Sequence, residues 1–136
     1  MRYWLVKSEP DVYSWDRLVR EGETVWDGVR NYQARNNLRD MRKGDQVLFY
    51  HSNNGMEVVG IAVVSKESFP DPGSDNPAWL AVCLKPWQAL KKPLALTLMK
   101  QTPELSQLGL IRQGRLSVMP VSPEEFNLIC SLGGHP

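Results

Sequence analysis

Residues 25–37 have the most unusual composition in this chain, and they are Val25-Trp26-Asp27-Gly28-Val29-Arg30-Asn31-Tyr32-Gln33-Ala34-Arg35-Asn36-Asn37. Two aromatic residues, three Asn and two Arg surround one Gly, with no Lys and no Glu. A solvated loop would be richer in Ser, Pro, Glu and Lys, and a buried strand would not carry three amides. Aromatic faces beside amides and guanidinium groups are suited to stack on a flat polar ring, to hydrogen-bond its edge and to contact its phosphate. We therefore expect the rest of the chain to be a scaffold for this stretch.

Length and composition indicate one globular domain over residues 1–136. The chain is 42% hydrophobic and 23% charged, which is ordinary for such a domain. Sixteen basic and fifteen acidic residues give a net charge of +1, so a polyanionic partner would have to be held by local positive charge. Cys83 and Cys130 lie in apolar surroundings and are predicted to be buried free thiols rather than a disulfide. The sequence has no signal-peptide pattern and no membrane-spanning run, which predicts a cytoplasmic protein.

Local patterns predict a strand and a short helix before the stretch. Tyr3–Val6 is rich in β-forming residues and would present Lys7-Ser8 at its C-terminal end. The segment Trp15–Glu21 follows a Ser and precedes a Gly, which are typical helix caps. We expect Leu18 and Val19 to face the core, together with the Trp that begins this helix.

The end of the stretch predicts an amphipathic helix with a basic side. Ala34, Leu38 and Met41 recur at helical spacing and form an apolar stripe. One residue further on, Arg35, Arg39 and Arg42 repeat the same spacing and form a basic side, and Arg30 adds to its positive charge. The predicted phosphate-contacting residues are therefore Arg30, Arg35, Arg39 and Arg42. The alternative interpretation is an ordinary solvated helix face.

The remainder of the chain alternates strands with short helices. Further strands are predicted at Gln46–Ser52, at Glu57–Val64, at Ala78–Trp87 and at the end of 111–121. Gly60 within the second of these suggests a bulge or a close approach of another group to the backbone. Residues 69–77 are predicted to be a loop, and from residue 91 the chain is expected to form short pieces, including a helix over 98–101 capped by Thr97. The fold class expected from this order is α+β, a mixed β-barrel of about five or six strands with short flanking helices.

The residues offer little catalytic machinery. His51 and Ser52 are adjacent on a predicted strand, so their side chains point to opposite faces. Ser8 could meet His51 across strands, but no carboxylate that would orient this pair is evident. The other histidine, His135, is expected in a frayed tail, and the Cys and His spacing gives no credible zinc site. The sequence therefore predicts neither an enzyme nor a metal or other cofactor.

Binding accounts better for the residues of the stretch. Trp26 and Tyr32 could provide stacking faces, with plain core packing as the alternative for Trp26. Gly28 would let a ligand approach the backbone, and Arg30 and Asn31 offer donors. Further candidates lie at predicted strand ends and turns: Ser8, Tyr50, Ser52, Trp79, Arg115 and Ser117.

Six runs, which together cover most of the chain in order, share one family pattern: Tyr3–Pro10, Trp26–Asn36, Gly44–Ser52, Val59–Ala62, Pro77–Trp79 and Gly114–Val121. They resemble the EVE domain, a member of the PUA-like superfamily that is related to the YTH readers of modified RNA. Phe126 departs from the pattern, since a Trp is expected in the last helix. This difference concerns packing alone.

The resemblance implies a PUA-like barrel with a pocket that accepts a modified base flipped out of DNA or RNA. In this comparison Trp26 corresponds best to an aromatic cage residue. Lys7, Ser8 and Asn31 would lie at the edge of the base. Ser52 and Ser117 would lie near the rim of the pocket. The complete set of expected ligand-binding residues is Lys7, Ser8, Trp26, Gly28, Val29, Arg30, Asn31, Tyr32, Tyr50, His51, Ser52, Trp79, Arg115 and Ser117.

The leading hypothesis is a non-catalytic reader of modified cytosine or adenine in DNA or RNA, with nucleic acid as its partner, no membrane partner and no cofactor. Two alternatives remain open at this point. One is an RNA-binding accessory without specificity for a modification. The other is an enzyme that acts on a nucleotide-like small molecule through Ser8 and His51.

Overall fold

A computed structural model describes residues 1–134, so the expectation for His135 lies outside the described part. The strands are β1 Tyr3–Ser8, β2 Thr24–Trp26, β3 Gln46–His51, β4 Glu57–Pro70, β5 Leu80–Ala95 and β6 Val118–Val121. The helices are α1 Trp15–Glu21, α2 Tyr32–Asp40, α3 Leu96–Lys100, α4 Gly109–Arg112 and α5 Pro123–Leu132, with a 3-10 turn at Pro103–Leu105. Over the described residues, none of these helices has the length and apolar character needed to cross a membrane.

The six strands form one mixed sheet in the order β2-β5-β4-β3-β1-β6. Strands β1 and β3 pair in parallel, and the other neighbours are antiparallel. The predicted α+β, PUA-like class with about six strands is confirmed. The sheet is not closed by hydrogen bonds, because β2 and β6 end the order without pairing to each other in residues 1–134. Helix α2 contacts β4 and β5 on one side of the sheet and the edge strand β6 on the other.

The core is built on β1 and β3, which lie next to each other in the middle of the sheet. Trp4, Leu5 and Val6 are fully buried, and so is the run Val47–Phe49 on the neighbouring strand. Because both faces of these strands are covered, consecutive residues are apolar and the usual alternation is lost. The burial of β1 on both faces fixes the position of its polar C-terminal end, where Lys7 and Ser8 emerge.

Helix α1 forms where its caps predict it. The Ser14 hydroxyl accepts a hydrogen bond from Arg17 N at 3.1 Å, and Gly22 ends the helix with φ of +79°. Leu18 is buried as expected, but Val19 is 53% exposed, so the expectation for Val19 was wrong. The physical reason is that position 19 lies about 100° around the helix from position 18, on the side away from the buried face.

Gly60 combines both features that its position in a strand suggested. The pairing of β3 with β4 and of β4 with β5 shifts in register near this residue. A Cβ atom added at Gly60 would lie 2.5 Å from the Trp15 ring, which is closer than real Cβ contacts come. The absence of a side chain therefore lets α1 pack through Trp15 directly onto the backbone of β4.

The long central hairpin extends beyond its predicted limits. Strand β4 continues to Pro70 and β5 continues to Ala95, so the connecting loop is 71–79 rather than 69–77. The prolines of the 69–77 segment predicted an earlier break, but β4 continues through Pro70, and the pairing of β4 with β5 contains repeated register shifts. The helix expected over 98–101 is instead α3, which begins after Ala95 without a side-chain cap.

The two cysteines are free and buried, as predicted. Burial raises the pKa of the Cys130 thiol to about 11 and also raises that of Cys83. Both thiols are therefore protonated and unreactive at neutral pH.

Candidate binding cleft

An open cleft of about 670 Å³ lies where the end of β1, helix α1 with its leading loop, and the segment after β2 meet. Its position follows from the fold, since β1 and β2 both end at this point. The residues that line it are Lys7, Ser8, Glu9, Val12, Tyr13, Arg17, Glu21, Thr24, Val25, Trp26, Asp27, Gly28, Val29, Arg30 and Ser117. Seven of the residues expected to bind ligand belong to this set: Lys7, Ser8, Trp26, Gly28, Val29, Arg30 and Ser117.

Two aromatic rings form a corner inside the cleft. Tyr13 lies edge-on to Trp26, with ring centroids 6.1 Å apart and an interplanar angle of 88°. On its other side Trp26 meets Phe49 of the core at 5.5 Å, also edge-on, and only 9% of Trp26 is exposed. Trp26 thus belongs to the core and to the cleft wall at once. The two rings at right angles offer one face and one edge to a flat ligand.

Polar groups from β1 lie beside this corner. The Lys7 ammonium donates to Gly114 O at 2.6 Å, and the Ser8 hydroxyl donates to Tyr13 O at 2.5 Å. The Lys7 backbone N–H donates to Ser117 O at 3.0 Å, which joins the end of β1 to the segment before β6. Burial lowers the pKa of Lys7. Its ammonium group has two further N–H bonds besides the one donated to Gly114 O, so it can still donate to a ligand. The cleft therefore holds the Lys7 ammonium as a donor and the Ser8 hydroxyl oxygen as an acceptor next to its aromatic corner.

The wall formed by α1 and its leading loop was not recognised in the sequence. Arg17 pairs with Glu21 at 3.0 Å, the Tyr13 hydroxyl donates to the other Glu21 oxygen at 2.8 Å, and the Arg17 guanidinium lies over the Tyr13 ring at 4.9 Å. Burial raises the pKa of Tyr13, so its hydroxyl stays protonated. The four-residue spacing of Arg17 and Glu21 could have revealed that these two share one side of the helix. Tyr13 precedes the Ser14 cap, and no local signal places it beside them.

A buried carboxylate holds the residue 25–37 stretch against the loop 71–79. Asp71 is 2% exposed and accepts hydrogen bonds from Gly28 N at 2.9 Å, Arg30 Nη1 at 2.8 Å and Gly73 N at 2.7 Å. Burial alone would raise the pKa of Asp71, but these three donors outweigh it and lower the pKa. Gly28 has φ of +77°, a conformation that side chains disfavour. Asp71 thereby fixes the turn that forms one rim of the cleft.

The expected residues at the start of α2 lie beyond the lining of the cleft. The Asn31 side chain accepts from Ala34 N at 2.9 Å and so caps α2. Tyr32 is 61% exposed, and its ring stacks on Trp79 with centroids 4.9 Å apart and an interplanar angle of 25°. The two rings expected to face the same pocket as Trp26 therefore form a separate aromatic pair on the outer surface.

The end of β3 also lies outside the lining. Tyr50 is buried, the Ser52 N–H donates to Ser8 O at 2.9 Å, and Arg115 is exposed on the loop before β6. His51 is aligned with Ser8 in the parallel pairing, but its Nε2 accepts from Trp15 N at 3.1 Å. Burial lowers the pKa of His51, so at neutral pH it is a neutral acceptor at the start of α1.

These contacts leave no Ser–His pair of the kind that the enzyme alternative requires. The Ser8 hydroxyl and His51 Nε2 each have another hydrogen-bond partner. Among residues 1–134, no three His, Cys, Asp or Glu side chains are grouped so that they could hold a metal ion.

The four arginines of the predicted phosphate-binding set have different surroundings. Arg30 is paired with Asp71, and Arg39 lies 3.9 Å from Asp40 with both side chains about half exposed. Arg35 donates to Ala78 O at 2.8 Å and to Asn36 Oδ1 at 2.9 Å. Arg42 follows the end of α2 and donates to Arg39 O at 3.2 Å.

Comparison with known proteins gives consistent matches across the whole chain. The chain is 34% identical to human thymocyte nuclear protein 1, over 96% of this chain and 73% of that protein. A crystal structure from Agrobacterium tumefaciens matches with 42% identity and a TM-score of 0.97, covering 99% of this chain and 94% of that one.

A crystal structure of human THYN1 protein in complex with DNA containing 5-methylcytosine matches with 33% identity and a TM-score of 0.92, covering 100% of this chain and 99% of that one. The sequence model of the EVE domain matches residues 2–132. The chain therefore belongs to the EVE domain family.

Proposed function

We propose that this protein is a non-catalytic reader of a modified base in nucleic acid, and that the base is turned out of its strand into the cleft. The observation that carries this proposal is the aromatic corner of Trp26 and Tyr13 beside the polar end of β1. The match to a human protein in complex with 5-methylcytosine-containing DNA supports the same class of ligand. A base inside a duplex could not reach these rings, so extrusion of the base is part of the proposal.

The dimensions of the cleft suit one base rather than a long segment. Its volume of about 670 Å³ falls within the usual range for sites that bind small ligands. Added methyl groups favour burial against aromatic rings, whereas the polar edge of the base still needs partners. The corner and the polar end of β1 supply these two kinds of contact side by side.

The charged groups of the cleft favour a base that carries an amino group. Asp27 lines the cleft and makes no ion pair or hydrogen bond to any described residue. Carboxylates accept hydrogen bonds from the exocyclic amino group of cytosine, and Lys7 can donate to a ring acceptor. Thymine and uracil present a carbonyl oxygen at the same position, which a carboxylate would repel. We therefore assign the cleft to modified cytosine or adenine.

Two residues have structural contacts that limit their part in this recognition. The Gly28 N–H is already donated to Asp71, so it is not free for the base. The Asn31 side-chain oxygen caps α2, and only its amide N–H groups could reach a ligand. We assign edge recognition mainly to Lys7, Ser8 and Asp27, and phosphate contact to Arg30, Arg35 and Arg39.

The test is a titration of the protein against short single strands of DNA and RNA that differ in one modified base. Fluorescence anisotropy of a labelled strand measures the binding. We expect the protein to bind the strand with one particular modification selectively. Tyr13→Ala should weaken binding of that strand about tenfold and remove the preference for the modified base. Tyr13→Phe keeps the ring and should retain most of the preference.

Val19→Ala, on the exposed side of α1, serves as the control that should change nothing. Equal, purely salt-dependent binding to every strand would contradict the proposal. That outcome would favour the alternative of an RNA-binding accessory without modification specificity.

A further inference from the structure

Outside the cleft, the exposed pair of Tyr32 and Trp79 forms a second aromatic surface. We propose that Tyr32, supported from behind by Trp79, stacks on the base of the nucleotide next to the one held in the cleft. This inference rests on the proposed function, because it assigns the neighbouring nucleotide of the same strand. The occupant is thus a nucleobase with its phosphate.

The geometry of the pair is that of a stacking surface. Tyr32 is the first residue of α2 and is 61% exposed, which is unusual for a ring of this size. Its ring lies 4.9 Å from Trp79 with planes only 25° apart, so Trp79 holds the ring from one side. An exposed side chain that is already fixed loses little conformational entropy when a base stacks on it.

The backbone that carries Trp79 is itself held in place. Asp71 N donates to Trp79 O at 2.9 Å and closes the loop at its two ends. Arg35 of α2 donates to Ala78 O at 2.8 Å, which joins this loop to the helix that carries Tyr32. These contacts hold the loop that carries Trp79 against the helix that carries Tyr32.

An arginine lies beside each ring of the pair, and one of the two has no carboxylate partner in the described part of the chain. The Arg30 guanidinium lies 5.6 Å from the Trp79 ring, and that of Arg35 lies 5.3 Å from the Tyr32 ring. Arg35 makes its hydrogen bonds to neutral groups and has no carboxylate partner among residues 1–134. A fixed and uncompensated cation beside an exposed ring fits a base together with its phosphate, and would not favour an apolar protein surface.

Arg30 connects the two surfaces. It lines the cleft and also lies against Trp79, so the aromatic pair begins where the cleft ends. A strand whose flipped base enters the cleft would thus pass over Arg30 and then over Tyr32. This continuity is why the occupant is the adjacent nucleotide rather than an independent ligand.

The experiment compares ligands of two lengths with matched variants of the full chain. The ligands are the modified nucleoside monophosphate, which can occupy only the cleft, and a trinucleotide with the same modified base in the middle. We expect Tyr32→Ala to weaken trinucleotide binding about tenfold and to leave monophosphate binding unchanged. Tyr32→Phe keeps the ring and should bind both ligands as the wild type does.

A spectroscopic measurement identifies the contact directly. A trinucleotide with 2-aminopurine on one side of the modified base should lose fluorescence when wild-type protein binds, because stacking quenches this base. The Tyr32→Ala complex should remain bright at saturating protein. Placement of 2-aminopurine on each side in turn assigns the 5′ or the 3′ neighbour.

Three results would overturn the inference. Unchanged trinucleotide affinity in Tyr32→Ala would show that the ring contributes no stacking. Equal losses for both ligands would place Tyr32 in the cleft itself. Binding of neither ligand by the wild type would remove this inference along with the proposed function.

A wild type that binds modified and unmodified trinucleotides equally would contradict the proposed function alone. The effect of Tyr32→Ala on trinucleotide binding could still be measured with either strand.

Discussion

At the scale of single residues, Trp26 illustrates how one side chain can belong to the core and to a binding surface. Its ring lies edge-on to Phe49 on the core side and edge-on to Tyr13 on the cleft side. The sequence left core packing and stacking as alternatives for this residue. The structure places its ring in the core and in the wall of the cleft at once, and stacking on a base stays a prediction. A truncation at Trp26 therefore cannot test binding without also testing stability.

We predict that Trp26→Ala lowers the free energy of unfolding by about 3–5 kcal/mol, because it leaves a cavity against Phe49. Binding should be lost in the same variant. Trp26→Phe keeps an aromatic ring, so it should lose less stability and retain weakened binding. Urea unfolding of both variants, with anisotropy titration under native conditions, measures the two effects separately. An Ala variant as stable as the wild type would mean that Trp26 contributes little to the core.

At the scale of elements, the parts of the fold that could be predicted are those specified locally. Helices α1 and α5 are marked by their caps: Ser14 begins the first, and the Ser122–Glu125 capping box begins the second. The full lengths of β4 and β5 could not be predicted, because they depend on pairing between distant residues that offsets the local effect of proline.

The residues of the site divide in the same way into those that the local sequence reveals and those that depend on contacts between distant parts of the chain. The stretch from Val25 to Asn37 could be recognised because its residues are consecutive. Asp71 could not, because it reaches Gly28 across 43 positions of sequence. Tyr13 was missed for a related reason, since its place in the cleft depends on the contact of the loop before α1 with Trp26 of β2. Sequence reasoning thus found the segment after β2 and the polar end of β1, but not the wall formed by α1 and its leading loop.

The contact between β3 and α1 makes stability depend on pH. His51 Nε2 accepts from Trp15 N, and burial lowers the pKa of this imidazole in the folded state despite the nearby Asp16 and Glu57. The unfolded chain therefore binds the proton more readily than the folded one. The contribution of neutral His51 to the free energy of unfolding is fully present above about pH 6.5, the ordinary pKa of histidine. It is lost as the pH falls through the lower pKa of the folded state.

We therefore expect the wild type to lose unfolding free energy between about pH 7.5 and about pH 5.5. His51→Gln can still accept from Trp15 N but cannot titrate, so it should lose less over the same interval. Urea unfolding of both proteins at the two pH values measures the difference. His135 and the carboxylates are common to both proteins, and their contributions cancel. Identical pH dependence in the two proteins would exclude a role for His51.

At the scale of the whole molecule, binding of nucleic acid would depend on where the charge lies, because the net charge is only +1. Two cations of the proposed interface are already paired with carboxylates: Arg17 with Glu21 and Arg30 with Asp71. Arg35 also holds the loop 71–79, so its substitution would disturb the site. Arg39 is exposed and only loosely paired with Asp40, which makes it the clearest probe of phosphate contact.

We predict that Arg39→Gln weakens binding to modified and unmodified strands by the same factor, because a phosphate contact carries no information about the base. The slope of log affinity against log salt concentration should become shallower by about 1. Anisotropy titrations at several salt concentrations measure both quantities, and Lys100→Gln on α3 controls for the loss of one positive charge. If Arg39→Gln instead weakened only the strand with the modified base, Arg39 would act on the base rather than on phosphate. An unchanged slope would place the path of the strand away from the C-terminal end of α2.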